Sequence, residues 1–163
     1  DAGRQIEMVH HLAIAAGSRG MAGGQAIDLQ SVGQSLTREA LEVMHVHKTG
    51  ALIRASVCLG ALAGHYCSTD VFQRLDHFSR RIGLLFQVVD DILDTESDTA
   101  TLGKTAGKDA ENNKPTYVTV LGIDEAKRLA HELESEALEL LEPLDDKADA
   151  MRDLTRYIVH RRF

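Results

Sequence analysis

Three carboxylates interrupt an apolar run in FQVVDDILD, residues 86–94. Asp90, Asp91 and Asp94 offer only oxygen ligands, with no histidine or cysteine beside them. Such a set suits magnesium, manganese or calcium rather than zinc or copper. Magnesium keeps several waters and bridges a few carboxylates to substrate phosphates, so cationic phosphate binders are expected close by. The sequence supplies them. Lys104 follows Gly103, Lys108 precedes Asp109, and Lys114 closes the same polar stretch; Lys48, with Thr49 directly after it, lies in HKTGALIR. A lysine is a flexible point charge and a common phosphate ligand. One lysine alone is usually a solvated surface charge. A triple-carboxylate segment followed at once by a glycine-and-lysine loop is a pattern that points to magnesium and diphosphate.

The elements that must position these groups read as helices. Leu75, Phe78, Ile82, Leu85, Val89 and Ile92 form one apolar stripe at helical spacing. A second stripe runs beside it through Gly83, Gln87, Asp90 or Asp91, and Asp94. TESDTATLG breaks the pattern, which predicts that the helix ends just after Asp94. The acids would then sit at the negative end of the helix dipole, which disfavours each by roughly 0.3–1 kcal/mol. They would also repel one another. A cation resolves both conflicts; the plain alternative is a solvated helix end. The whole chain reads as all-α, with helices predicted near 2–22, 37–63, 70–94, 114–121, 124–142 and 147–161. Its two prolines, Pro115 and Pro143, fall at helix boundaries. Residues 96–114 form the one long polar loop, and long loops in compact domains are commonly functional.

Composition narrows the classes. With 163 residues, 44% apolar and 26% charged, the chain reads as one globular domain. A net charge of −7 leaves no basic surplus for a nucleic-acid partner. No apolar run approaches the ~18 residues of a membrane span, and no signal peptide is visible. Cys58 reads as a core thiol, and two cysteines make no disulfide framework, so a reducing, cytoplasmic setting is expected. The chain opens at Asp1 straight into a helical pattern, as a portion of something longer would. His10 with His11, and His45 with His47, are one and two positions apart, which points the rings to different sides and argues against chelation. Gly23 and Gly24 are expected to let two helices approach closely, with Gln25 and Asp28 making polar contacts. In 131–144, Leu133, Ala137, Leu140 and Leu141 should face inward.

FQVVDDILD followed by LGKTAGKD and NNKPTY resembles the second aspartate-rich region of the trans-isoprenyl diphosphate synthases. MAGGQAIDL (21–29) and HKTGALIRAS (47–56) match two further blocks of that family in the same order. YIVHRR (157–162) is similar to the basic tail of its short-chain members, and the wording is nearest the bacterial farnesyl branch, the geranyltranstransferases. The resemblance spans essentially the whole chain. It implies an antiparallel helical bundle of the isoprenoid synthase type around a deep cavity, of which residues 1–163 would be the C-terminal half. It implies magnesium, with manganese as the alternative, and two substrates, isopentenyl diphosphate and an allylic diphosphate (dimethylallyl or geranyl). These would give farnesyl diphosphate by ionisation, condensation and elimination. Asp90, Asp91 and Asp94 would hold metal, with Asp109 assisting through water. Lys48 and Lys104 would hold the allylic diphosphate, Thr49 beside them, and Lys114 would reach the same group. Gln87 would lie near the reacting centre. Arg161 and Arg162 would belong to a tail that closes over isopentenyl diphosphate. A homodimer is also implied. The family's first aspartate-rich motif and its Gly-Lys-Arg block, both in its N-terminal half, are absent here, so the chain alone is expected to be inactive. Two other readings stand beside this one: a synthase of other chain length (geranyl, geranylgeranyl or longer), and a non-catalytic diphosphate-binding partner subunit.

Overall fold

The computed structural model describes residues 1–64, 67–101 and 115–161, with the side chains of 98–101 set aside. Its regular elements among these residues are all helices, joined by short turns. Helix α1 (Ala2–Ala16) starts where the Asp1 carboxylate accepts the Gly3 N–H, and it ends at Gly17, whose backbone is extended. The single helix expected over 2–22 is therefore two. After the Gly17–Gly20 turn, α2 runs Met21–Ser31, an element the periodicity did not predict. Its apolar residues are interrupted by two glycines, so it lacks an amphipathic stripe.

Thr37 caps α3 (Arg38–His45) by accepting the Ala40 N–H. The predicted 37–63 helix is interrupted by a π-helical turn, Val46–Gly50, before α4 (Ala51–Ala63). Helix α5 runs Thr69–Thr101, 33 residues and about 50 Å at 1.5 Å per residue. Thr116 and Thr119 form a capping box for the short α6, Tyr117–Leu121. Gly122, at φ 84°, turns the chain into α7 (Ile123–Leu141); the positive φ suits glycine. A 3₁₀ turn at Asp146–Ala148 leads into α8, Asp149–His160. Arg152 reaches back from α8 to donate to the Leu141 carbonyl at 2.7 Å, at the end of α7, and to the Leu144 carbonyl in the turn that follows it.

Helix α5 is central. One side buries Phe78, Ile82, Leu85, Val88, Val89 and Ile92 in a core with Leu129, Leu133, Ala137 and Leu141 of α7, joined by Leu41, Met44, Tyr117 and Ile158. Each large apolar side chain so buried contributes roughly 1.5–3 kcal/mol. The inward face expected for 131–144 is present, with Leu140 half-buried at its edge. The other side of α5 meets α4. There Asp76 takes Arg54 and, at 3.0 Å, Arg80. Cys58 is buried beside Asp76, and burial with that neighbouring charge pushes its thiol up. That is the inert core thiol the sequence suggested. None of the described helices is long and apolar enough to cross a membrane.

Candidate functional site

The helix carrying the aspartates does not stop at Asp94 but continues to Thr101. The carboxylates therefore stand about two turns inside it, beyond the last turn where the dipole acts strongly. The dipole conflict argued from sequence is absent, and the crowding of three acids is relieved by direction. Asp91 turns inward. It is 8% exposed, and its Oδ2 accepts the Tyr117 N–H at 2.7 Å, fixing the start of α6. Asp90 is half-exposed, and its Oδ1 accepts from Arg161 Nη2 at 3.0 Å. Asp94 is exposed and lies four residues from Asp90, on the same helix face.

Among the described residues, no three histidine, cysteine or acidic side chains converge as a metal cage. The donors that fit magnesium here are the Asp90–Asp94 edge, a two-carboxylate set that needs waters and phosphate oxygens to complete an octahedron.

The π turn places the second group of candidates. One extra residue per turn in a helix is rare and often marks a functional site. Lys48 Nζ donates to Asp28 Oδ2 on α2 at 2.8 Å. Thr49 Oγ1 donates to Gln87 Oε1 on α5. Gln87 is buried one turn before Asp90 and Asp91, so Thr49 and Gln87 tie the π turn to the carboxylate helix.

Two glycines permit this. A Cβ on Gly24 would lie 2.1 Å from Lys48 N, and one on Gly83 would lie 3.1 Å from Gly50 Cα. The close approach expected of Gly23 and Gly24 is made by Gly24, and Asp28 makes the polar contact expected of it.

His45 and His47 take different surroundings. His45 is buried and stacks on Tyr117, with ring centroids 5.4 Å apart and an interplanar angle of 23°. Burial, with the charge of Lys48 adding and that of Asp28 opposing, pushes its imidazole down to about 4. His47 instead pairs its Nδ1 with the Val43 carbonyl at 2.8 Å. Burial likewise pushes the Tyr117 hydroxyl up.

Of the other sequence candidates, Arg161 is placed and Lys104, Asp109, Lys114 and Arg162 lie outside the described residues. The Arg161 guanidinium sits 4.3 Å from the centroid of the Phe86 ring while it holds Asp90. That double contact, and the anchoring of Lys48 by Asp28, were not legible in the sequence because their partners are 71 and 20 residues apart. The available signal for Asp28 was an acid on an otherwise uncharged helix, one turn after a glycine.

The polyprenyl synthetase family model matches residues 4–157. The chain belongs to that family. It is 44% identical over 160 residues to farnesyl diphosphate synthase of Escherichia coli (strain K12), covering 96% of this chain and 54% of that protein. It is 46% identical over 160 residues to the chloroplastic geranylgeranyl pyrophosphate synthase of Capsicum annuum, covering 97% and 43%.

Solved structures of the family superpose well. A putative farnesyl-diphosphate synthase from Marinomonas sp. MED121 gives a TM-score of 0.83 at 38% identity, over 97% of this chain and 53% of that one. The geranyltransferase of Helicobacter pylori complexed with magnesium and isoprenyl diphosphate gives 0.78 at 31% identity, over 98% and 52%. The chain spans about half the length of the curated relatives it matches.

Proposed function

We propose that these residues form the metal-and-diphosphate side of a trans-prenyltransferase active site, acting with the family's first aspartate-rich motif. The observation that carries this reading is the placement of Asp90 and Asp94 on one face of α5, bound through Gln87 and Thr49 to the turn that presents Lys48. Bound magnesium would neutralise charge developing on a leaving diphosphate. Asp90 and Asp94 would hold it, with Asp91 anchoring α6 behind them. Lys48, together with Lys104 and Lys114, would hold the allylic diphosphate and take up its growing charge, an effect strongest in a dry site. Gln87, fixed by Thr49, would keep a polar group beside the reacting centre, while the apolar surroundings exclude water that would quench an allylic cation. Arg161 and Arg162 would close over isopentenyl diphosphate, and Asp109 would support the metal through water.

The product reading is farnesyl diphosphate, supported by the names of the Escherichia coli and Marinomonas relatives. A geranylgeranyl synthase is the second reading, favoured by the equally high identity to the Capsicum protein. Two free cysteines, Cys58 and Cys67, suit a cytoplasmic setting. The partner is a second copy of the chain. Ile6, Val9 and Leu12 of α1 are 71%, 68% and 49% exposed, a stripe that association would cover. Val9→Glu should shift the sedimentation equilibrium toward monomer; an unchanged mass would remove α1 from the interface.

The test of function has two arms. Calorimetric titration of an inert diphosphate analogue, with and without magnesium, should show magnesium-dependent binding. With the family's N-terminal half, which carries the first aspartate-rich motif, supplied together with this chain, transfer of isopentenyl units to geranyl diphosphate, followed by product chromatography, should show a fifteen-carbon product under the first reading and a twenty-carbon product under the second. Turnover that survives Asp90→Ala unchanged would rule out the metal-side assignment.

A further inference from the structure

We infer that Asp28 is a positioning residue that holds Lys48 ready for a diphosphate oxygen. The inference rests on the reading of Lys48 as a diphosphate ligand and goes beyond it by naming the group that aims the lysine.

Two contacts between α2 and the π turn act on Lys48 together. The first is made by the backbone: because Gly24 has no side chain, α2 lies so near that a Cβ there would sit 2.1 Å from Lys48 N and 2.5 Å from its Cα. That contact sets the position of the Lys48 main chain. The second, one turn along α2, is made by the side chain: Asp28 Oδ2 accepts from Lys48 Nζ at 2.8 Å. The two ends of a flexible four-carbon tail are thereby fixed by one helix.

The exposures are unequal in a way that favours presentation over mere pairing. The Asp28 side chain is 9% exposed and that of Lys48 is 32%. A buried carboxylate needs a charged partner to stay ionised. The lysine head has three donors; one goes to Asp28, and about a third of the side chain is open to solvent. A lysine ordinarily loses considerable rotamer freedom when a ligand recruits it. Here that ordering is made before any ligand arrives. The neighbouring His45 is neutral near pH 7 and adds no competing charge.

The test uses the full chain and inorganic diphosphate with magnesium. Asp28→Asn keeps the volume and an acceptor but removes the charge. Its diphosphate dissociation constant should rise roughly 10- to 100-fold, as expected for one charge-assisted contact weakened. Asp28→Glu, which keeps the charge, should recover most of the affinity. Thermal melting sets the folded fraction of each variant, so affinity is compared at equal folding.

Acylation with acetic anhydride, read by peptide mass spectrometry, provides a measurement that needs no variant. In the wild-type chain Lys48 should acylate several-fold more slowly than Lys147, which is 87% exposed, and magnesium diphosphate should slow it further. Where Asp28→Asn folds, its Lys48 should acylate faster. Equal rates at Lys48 and Lys147 in the wild type would overturn the inference. So would an Asp28→Asn chain, folded, that binds diphosphate as the wild type does. A wild type whose Lys48 is slow to acylate but which binds no diphosphate would instead overturn the reading of the site, and the Asp28 pair would then be purely structural.

Discussion

Asp90 and Asp91 are adjacent, yet the structure gives them different work, and substitution should separate them. Asp91→Ala removes the acceptor of a buried N–H and should cost about 1–3 kcal/mol of unfolding free energy, measured by urea denaturation. Asp90 is half-exposed, so Asp90→Ala should cost less than about 1 kcal/mol while weakening magnesium-dependent diphosphate binding at least tenfold. If the two variants lose stability equally, the division of labour is wrong.

His45 gives a pH prediction. Its folded pKa of about 4 lies below the ordinary 6.5 because the ring is buried. The unfolded chain therefore takes up a proton first. Stability present above pH 6.5 should fall as pH drops toward 4, by up to about 3 kcal/mol. His45→Phe preserves the stack on Tyr117 and should flatten that part of the profile; an identical slope in the variant would exclude His45 as its source.

Among the elements, α2 and the π turn form the least forgiving pair. Gly24→Ala drives a methyl into the Lys48 backbone at 2.1 Å, so one helix must move. The expected cost is about 1–3 kcal/mol, with loss of diphosphate binding beyond what the lost stability explains; a calorimetric and melting comparison checks both.

This is also the region the sequence described least well. The helices with apolar stripes, α5 and α7, were legible because Phe78, Leu85 and Ile92, or Leu133, Ala137 and Leu141, recur at the helical period. Helix α2 was not, since Gly23 and Gly24 replace the residues that would have made a stripe. The end of α5 was misjudged because Thr95–Ser97 are polar, and polarity ends a stripe without ending a helix. The candidate residues themselves were visible as types and spacings. The partners that Asp28, Arg161 and Tyr117 take were not, because each pairs across the fold.

At the scale of the whole molecule, stability concentrates in the face shared by α5 and α7. Leu85 is 0% exposed there, and Leu85→Ala should cost about 2–5 kcal/mol, read from the urea midpoint; a smaller loss would mean the face can collapse around the gap. That shared face has a consequence for the timing of synthesis. The stripe from Phe78 to Ile92 is made well before its main cover, Leu129 to Leu141. At roughly 5–20 residues per second, the ribosome leaves this stripe without its partner for on the order of 2–10 seconds. During that interval the nascent chain carries an exposed apolar stripe next to Asp90, Asp91 and Asp94. Slower translation between Ile92 and Leu141 would lengthen the period in which chaperones, or other nascent copies, can reach it.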